Sequence, residues 1–138
     1  MTAATTSVMT PSRELGLIFV LLAASAVALE GTLAFVDTDG YGSSTPSTGC
    51  KCVGVWESGA DNSTGLDGAS GANVRHNRQF LMLNDSTNPV TQAHLFADVY
   101  ALDNQTVSSS SNSNARAKVG RFMGFDKSNS SALWVEIL

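Results

Sequence analysis

Histidine, cysteine and paired acids are the residues of this chain that would carry chemistry, and their spacing suits none. His76 and His94 stand apart from each other and from any cysteine or carboxylate pair at ligand spacing, so both read as structural or surface groups. Cys50 and Cys52 are the only cysteines. Two thiols do not close a zinc site by themselves, and Cys-Lys-Cys is a poor geometry for a local disulfide, so reduced thiols are expected. Asp37-Thr-Asp39-Gly40 imitates the start of a calcium loop, but that loop's bidentate acid would fall on Thr48, which leaves a hairpin turn. Gly65, Gly68 and Gly71 neither follow a strand into a helix nor meet a Lys-Ser/Thr pair, so no phosphate cradle is built. Gly-x-Ser-x-Gly is absent, as is an acid pair suited to glycoside cleavage. Four Asn-x-Ser/Thr matches, at Asn62, Asn84, Asn104 and Asn129, are unsurprising in a chain so rich in those residues. The expectation is a protein that is not an enzyme and needs no cofactor or metal.

Composition narrows the partners. The chain has 138 residues, a net charge of -4 and only 14% charged residues. That length suits one domain burying roughly 68% of its unfolded surface. An acidic balance without a Lys/Arg cluster argues against nucleic acid, which demands several cations to displace counterions. It equally disfavours an anionic membrane surface. A weakly charged, hydroxyl-rich exterior suits packing into a larger assembly.

The elements that must position any site are short. Apolar segments separated by Asp, Asn, Ser and Gly turns predict an all-β fold with no long helix. The strands expected are Leu15–Leu22, Val27–Val36, Lys51–Trp56, Asn73–Leu83, Asp98–Leu102, Gln105–Val107 and a final hairpin of Ala117–Phe125 with Ala132–Leu138. Val90–Phe96 has room for one helical turn, with Thr91 as its N-cap. Residues 57–72 form the longest irregular stretch, of the kind that binds or moves. Residues 1–14 show no apolar period and read as an extended arm, leaving 15–138 as a single β domain. No repeat suggests a solenoid or propeller.

The uncharged run Leu15–Leu29 admits other readings. It is too short to span a membrane as a helix. Its length and the Ala26-Val27-Ala28 segment fit a signal peptide, but Arg13 is neutralised by Glu14 in the leader that would precede it. A pilin-type assembly helix fits only loosely through Pro11-Ser-Arg-Glu-Leu-Gly16. Two strands joined by a small-residue turn at Ala23–Ala26, pairing with each other, are expected. The alternative function is a secreted or filament-forming surface protein with residues 15–29 as leader or assembly helix.

An ordered series of segments also carries a resemblance. Pro11-Ser-Arg-Glu14 precedes two apolar strands, and Val36-Asp-Thr-Asp-Gly-Tyr41 and Cys52-Val-Gly-Val-Trp56 follow. Next come the Asp61-Asn62…Gly65…Asp67-Gly68 loop and Val74-Arg75 leading to Phe80. Asn88-Pro-Val-Thr-Gln-Ala93, Val99-Tyr100, Asp103-Asn-Gln-Thr-Val107, Lys118-Val-Gly120 and Trp134-Val-Glu-Ile137 complete it. In this order the chain, from about residue 12 onward, resembles the head-decoration or capsid-cement proteins of tailed bacteriophages. It departs from that pattern in the strongly apolar Leu17–Ala28 and in Arg121-Phe-Met-Gly-Phe125. The resemblance implies a small β-barrel or β-tulip-like body with an extended N-terminal arm. It implies a structural virion protein on the outer surface of an icosahedral capsid, bound to the major capsid protein and self-associating as a homotrimer, with a dimer possible. Neither nucleic acid nor membrane is then a partner. Position alone makes the arm, at Thr10, Pro11, Ser12, Arg13 and Glu14, and the loop, at Asn62, Leu66 and Asp67, the candidates for capsid or subunit contact.

Overall fold

The computed structural model describes residues 2–138, so Met1, the first residue of the expected arm, lies outside the described residues. The fold is all-β, as expected. Its strands are β1 (Leu17–Leu21), β2 (Val27–Ala28), β3 (Leu33–Val36), β4 (Gly42–Ser43), β5 (Lys51–Trp56) and β6 (Ala60–Asp61). They continue with β7 (Gly71–Arg75), β8 (Arg78–Asn84), β9 (Asp98–Ala101), β10 (Thr106–Ser108), β11 (Lys118–Phe125) and β12 (Ala132–Ile137). Strands β10-β8-β12-β11-β9 close into a barrel, and β1-β7-β5-β3-β4 form a second, open sheet. Strands β2 and β6 make a two-stranded ribbon.

Alternation along the strands builds two cores. Val99, Val107, Phe122, Leu133, Val135 and Ile137 fill the barrel together with Leu33 and Phe35 of β3 and Val55 of β5. The second core holds Val20, Leu22, Ala28, Ala72 and Val74, and it takes Ala34 of β3 and Trp56 of β5. Successive side chains of a strand point to opposite faces, so β3 and β5 each supply both cores and join them. Backbone hydrogen bonds from Leu33 to Asn104 at 2.8 Å and from Asn77 to Ile137 at 2.6 Å stitch the halves further.

Several expected strands hold closely. Lys51–Trp56 is β5, and the final hairpin pairs Arg121 with Glu136 and Phe122 with Val135. Asp37-Thr-Asp39-Gly40 is the turn from β3 to β4. The Asp37 carboxylate accepts the Asp39 and Tyr41 amides at 2.9 and 3.0 Å, and Gly40 takes φ 89°, a backbone region that glycine enters freely. The helical turn is a 3-10 turn at Gln92–His94 with Thr91 as N-cap, and His94 Nδ1 accepts the Thr91 amide at 2.9 Å.

Four expectations are corrected. β1 does not pair with the segment after it: its partner is β7, with Leu17 opposite Arg75 and Leu21 opposite Gly71. The Ala23–Ala26 turn fails to double back because remote loops take its amides. Ala23 donates to Gly42 at 2.9 Å, Ser25 to Gly65 at 3.2 Å, and Ala24 to the Asp67 carboxylate at 2.7 Å. The expected Val27–Val36 strand is two strands, β2 and β3, because residues 29–32 turn between them with Gly31 at φ 84°. Asn73–Leu83 is likewise two strands, broken where Asn77 adopts φ 60°; β7 stays in the open sheet and β8 enters the barrel. The stretch 57–72 is not wholly irregular, since it contains β6 and the start of β7.

The run Leu15–Leu29 thus lies in β1, a turn and β2, and it supplies Val20, Leu22 and Ala28 to the second core. Among the described residues, no helix is long and apolar enough to cross a membrane. Both cysteines are free thiols and lean on the barrel core.

Candidate contact surface

The loop between β6 and β7 is held from inside by one asparagine. Asn62 is buried, 2% exposed. Its Nδ2 donates to the carbonyls of Ala23 and Leu66, both at 2.9 Å, and its Oδ1 accepts the Ser70 hydroxyl at 3.2 Å. The backbone adds to this clamp: Gly68 donates to Leu22 at 2.9 Å and Ala69 to Leu66 at 3.1 Å. Asp67 fastens the far side of the loop through the Ala24 amide. Buried polar groups satisfied this fully hold one loop conformation.

The outcome is a fixed apolar tip. Leu66 is 80% exposed although its own carbonyl and its neighbours are pinned. A leucine carried on a fixed backbone requires little loop ordering when a partner covers it, which favours association. A cleft of about 440 Å³ opens at the Ala23–Ala26 turn, lined by Ala23, Ala24, Phe35, Tyr41, Ser43 and Ser47 among others.

The expected contact residues therefore divide by role. Leu66 and Asp67 are at the surface, whereas Asn62 points inward and shapes the loop without reaching a partner. Thr10, Pro11, Ser12, Arg13 and Glu14 are all exposed, and no hydrogen bond ties residues 2–14 to the body. The structure does not bring arm and loop together through any bond.

Sequence reasoning missed an outward apolar stripe on the barrel. Leu81 and Leu83 are 45% and 44% exposed, and the register sets Trp134 beside Leu81. The signal was the even-odd pattern of β8, in which Met82 is buried between the two leucines. It also missed the exposed side of β1, where Phe19 and Leu21 point outward.

Electrostatics at these surfaces are mild. Glu57 accepts Arg75 at 2.9 Å; this bond holds the Glu57 carboxyl below its usual range. Lys118 and Asp98 form a second exposed pair at 3.3 Å, and exposed pairs add little to stability. Among the described residues no cluster of histidine, cysteine and acids has metal-binding geometry. Comparison with known proteins finds no matching family model, no matching curated protein and no matching solved structure.

Proposed function

We propose that this chain is a structural virion protein that decorates and stabilises the outer surface of an icosahedral phage capsid, binding the major capsid protein. The observation that carries the reading is the Leu66 tip, an exposed apolar side chain on a loop locked by Asn62 and Asp67. A cement protein works by many modest, repeated contacts, and a pre-organised tip lowers the cost of each one. Ligand linkage then stabilises the shell: a protein that binds the mature lattice and not its disrupted state shifts the balance toward the lattice. The small barrel, the weakly charged exterior and the ordered resemblance in sequence support the same reading.

The test is quantitative mass spectrometry of gradient-purified virions, followed by binding of purified protein to expanded shells. A fixed ratio near one chain per major capsid subunit, with shell binding weakened by Leu66→Ser, is the expected result. A trace amount in virions, with no binding to expanded shells, overturns it.

A further inference from the structure

The barrel is closed and has no strand edge, and β4, at one end of the open sheet, is two residues long. The other end of that sheet is β1, which is five residues long. Its inner side is bonded to β7. The flanking bonds from His76 to Gly16 at 2.9 Å and from Leu22 to Ser70 at 2.8 Å fix the even-numbered residues as those facing β7. Antiparallel pairing alternates, so Leu17 and Phe19 turn their backbone N–H and C=O groups outward. A bare edge of this kind is a template for another strand. Past Leu21 the edge is covered, because Leu22 bridges to Gly42.

The arm has the complementary properties. All of residues 2–14 are exposed, and among the described residues none of them makes a hydrogen bond. Residues 2–12 carry no charge, like the edge strand itself. Thr5, Thr6, Val8 and Thr10 are β-branched residues that favour strands, and Pro11, which has no amide to donate, sits at the arm's base. Extended, residues 2–12 reach roughly 36 Å, enough to leave the body that carries them. At the root of the arm, a cleft of about 260 Å³ lies along β1 between Arg13, Leu15, Phe19 and Arg75.

We propose that the arm of one copy adds as a strand to the β1 edge of a second copy, so that the chain assembles with itself by strand donation. The acceptor is the outward backbone of Leu17 and Phe19, flanked by the exposed Phe19 side chain. This goes beyond the shell reading and does not depend on it, because it is tested in solution without shells.

The experiment measures the mass of the full chain by light scattering across a concentration series, beside Val8→Pro. That substitution removes a donor and bars strand pairing in a segment that contributes nothing to either core. Wild type is expected to form oligomers that grow with concentration, and Val8→Pro to remain monomeric with an unchanged circular dichroism spectrum. A peptide of residues 2–12 should then shift the amide signals of Leu17 and Phe19 in the Val8→Pro protein. Three results overturn the proposal: a wild type that stays monomeric, oligomers that survive Val8→Pro, or a peptide that leaves those amides unmoved. A monomer whose arm amides are protected from exchange also overturns it, because the arm would then lie on its own β1.

Discussion

Phe19 reaches diagonally across the open sheet and covers Gly71. A Cβ placed on Gly71 would stand 2.7 Å from Phe19 Cζ and 2.8 Å from the Val20 carbonyl oxygen. The ring would swing away, but the carbonyl belongs to a paired strand and yields little. Gly71→Ala is therefore expected to destabilise the fold by about 1–3 kcal/mol through overpacking. Urea unfolding checks this, and a midpoint equal to that of wild type would refute the close approach.

Asn62 invites a contrast with its neighbour Leu66. Asn62→Ala strips hydrogen bonds from the Ala23 and Leu66 carbonyls in one step, at an expected cost of about 2–4 kcal/mol. Leu66→Ser removes an exposed side chain and should change stability by less than about 0.5 kcal/mol. Thermal unfolding of the two variants separates the residue that shapes the tip from the residue that is the tip. Equal losses would contradict the division of roles.

Acid should weaken the loop after β8 through Asp85. This carboxylate is buried and accepts the Thr87 amide at 2.9 Å. That bond is the chief reason its pKa lies below the ordinary 3.8; burial opposes the shift, and Ser108, the Asn88 amide and the Arg116 guanidinium assist it. A group with a depressed folded pKa stabilises fully above its unfolded value, and the contribution fades as pH falls toward the folded one. The window for Asp85 thus opens at about pH 4 and extends downward. Melting temperature followed against pH should fall less steeply below that point in Asp85→Asn, which keeps an oxygen for the Thr87 amide. Identical slopes would mean that Asp85 is not the group titrating.

Cys52 should be a sluggish thiol. Burial against the barrel pushes its pKa up to about 12, partly offset by backbone hydrogen bonding at Gly54 and raised further by Cys50. Only the thiolate reacts. Maleimide at pH 8 is expected to leave Cys52 unmodified in the folded protein and to label it after denaturation, as read by peptide mass mapping. Rapid labelling of Cys52 in the folded chain would contradict its placement.

Local signals were legible in the sequence, and remote ones were not. Asp37 and Gly40 announce their turn because the Asp37 side chain bonds amides two and four residues on. Thr91 marks its 3-10 turn, and the β11–β12 hairpin follows from neighbouring alternation. The partner of β1 was illegible because the amides that stop the Ala23–Ala26 turn from closing a hairpin are bound by Gly42, Gly65 and Asp67. The division of Asn73–Leu83 hid for a different reason: the same alternation runs through both halves, and only the left-handed Asn77 shows that they serve different sheets. At the candidate surface, the exposure of Leu66 follows from its place in a polar loop. The burial of Asn62 could not be read, since its partners Ala23 and Ser70 are brought to it by folding.

Because β3 and β5 belong to both cores, neither core is complete without the other. The pairings that finish the molecule are also distant along the chain: β1 waits for β7, and β8 waits for β12. Topologies dominated by such remote pairings fold slowly, in milliseconds to seconds. Throughout that interval β1 is an unmated apolar ribbon in search of a partner. Crowded, newly made copies would meet one another in that state, so their yield should depend on how fast β7 claims β1.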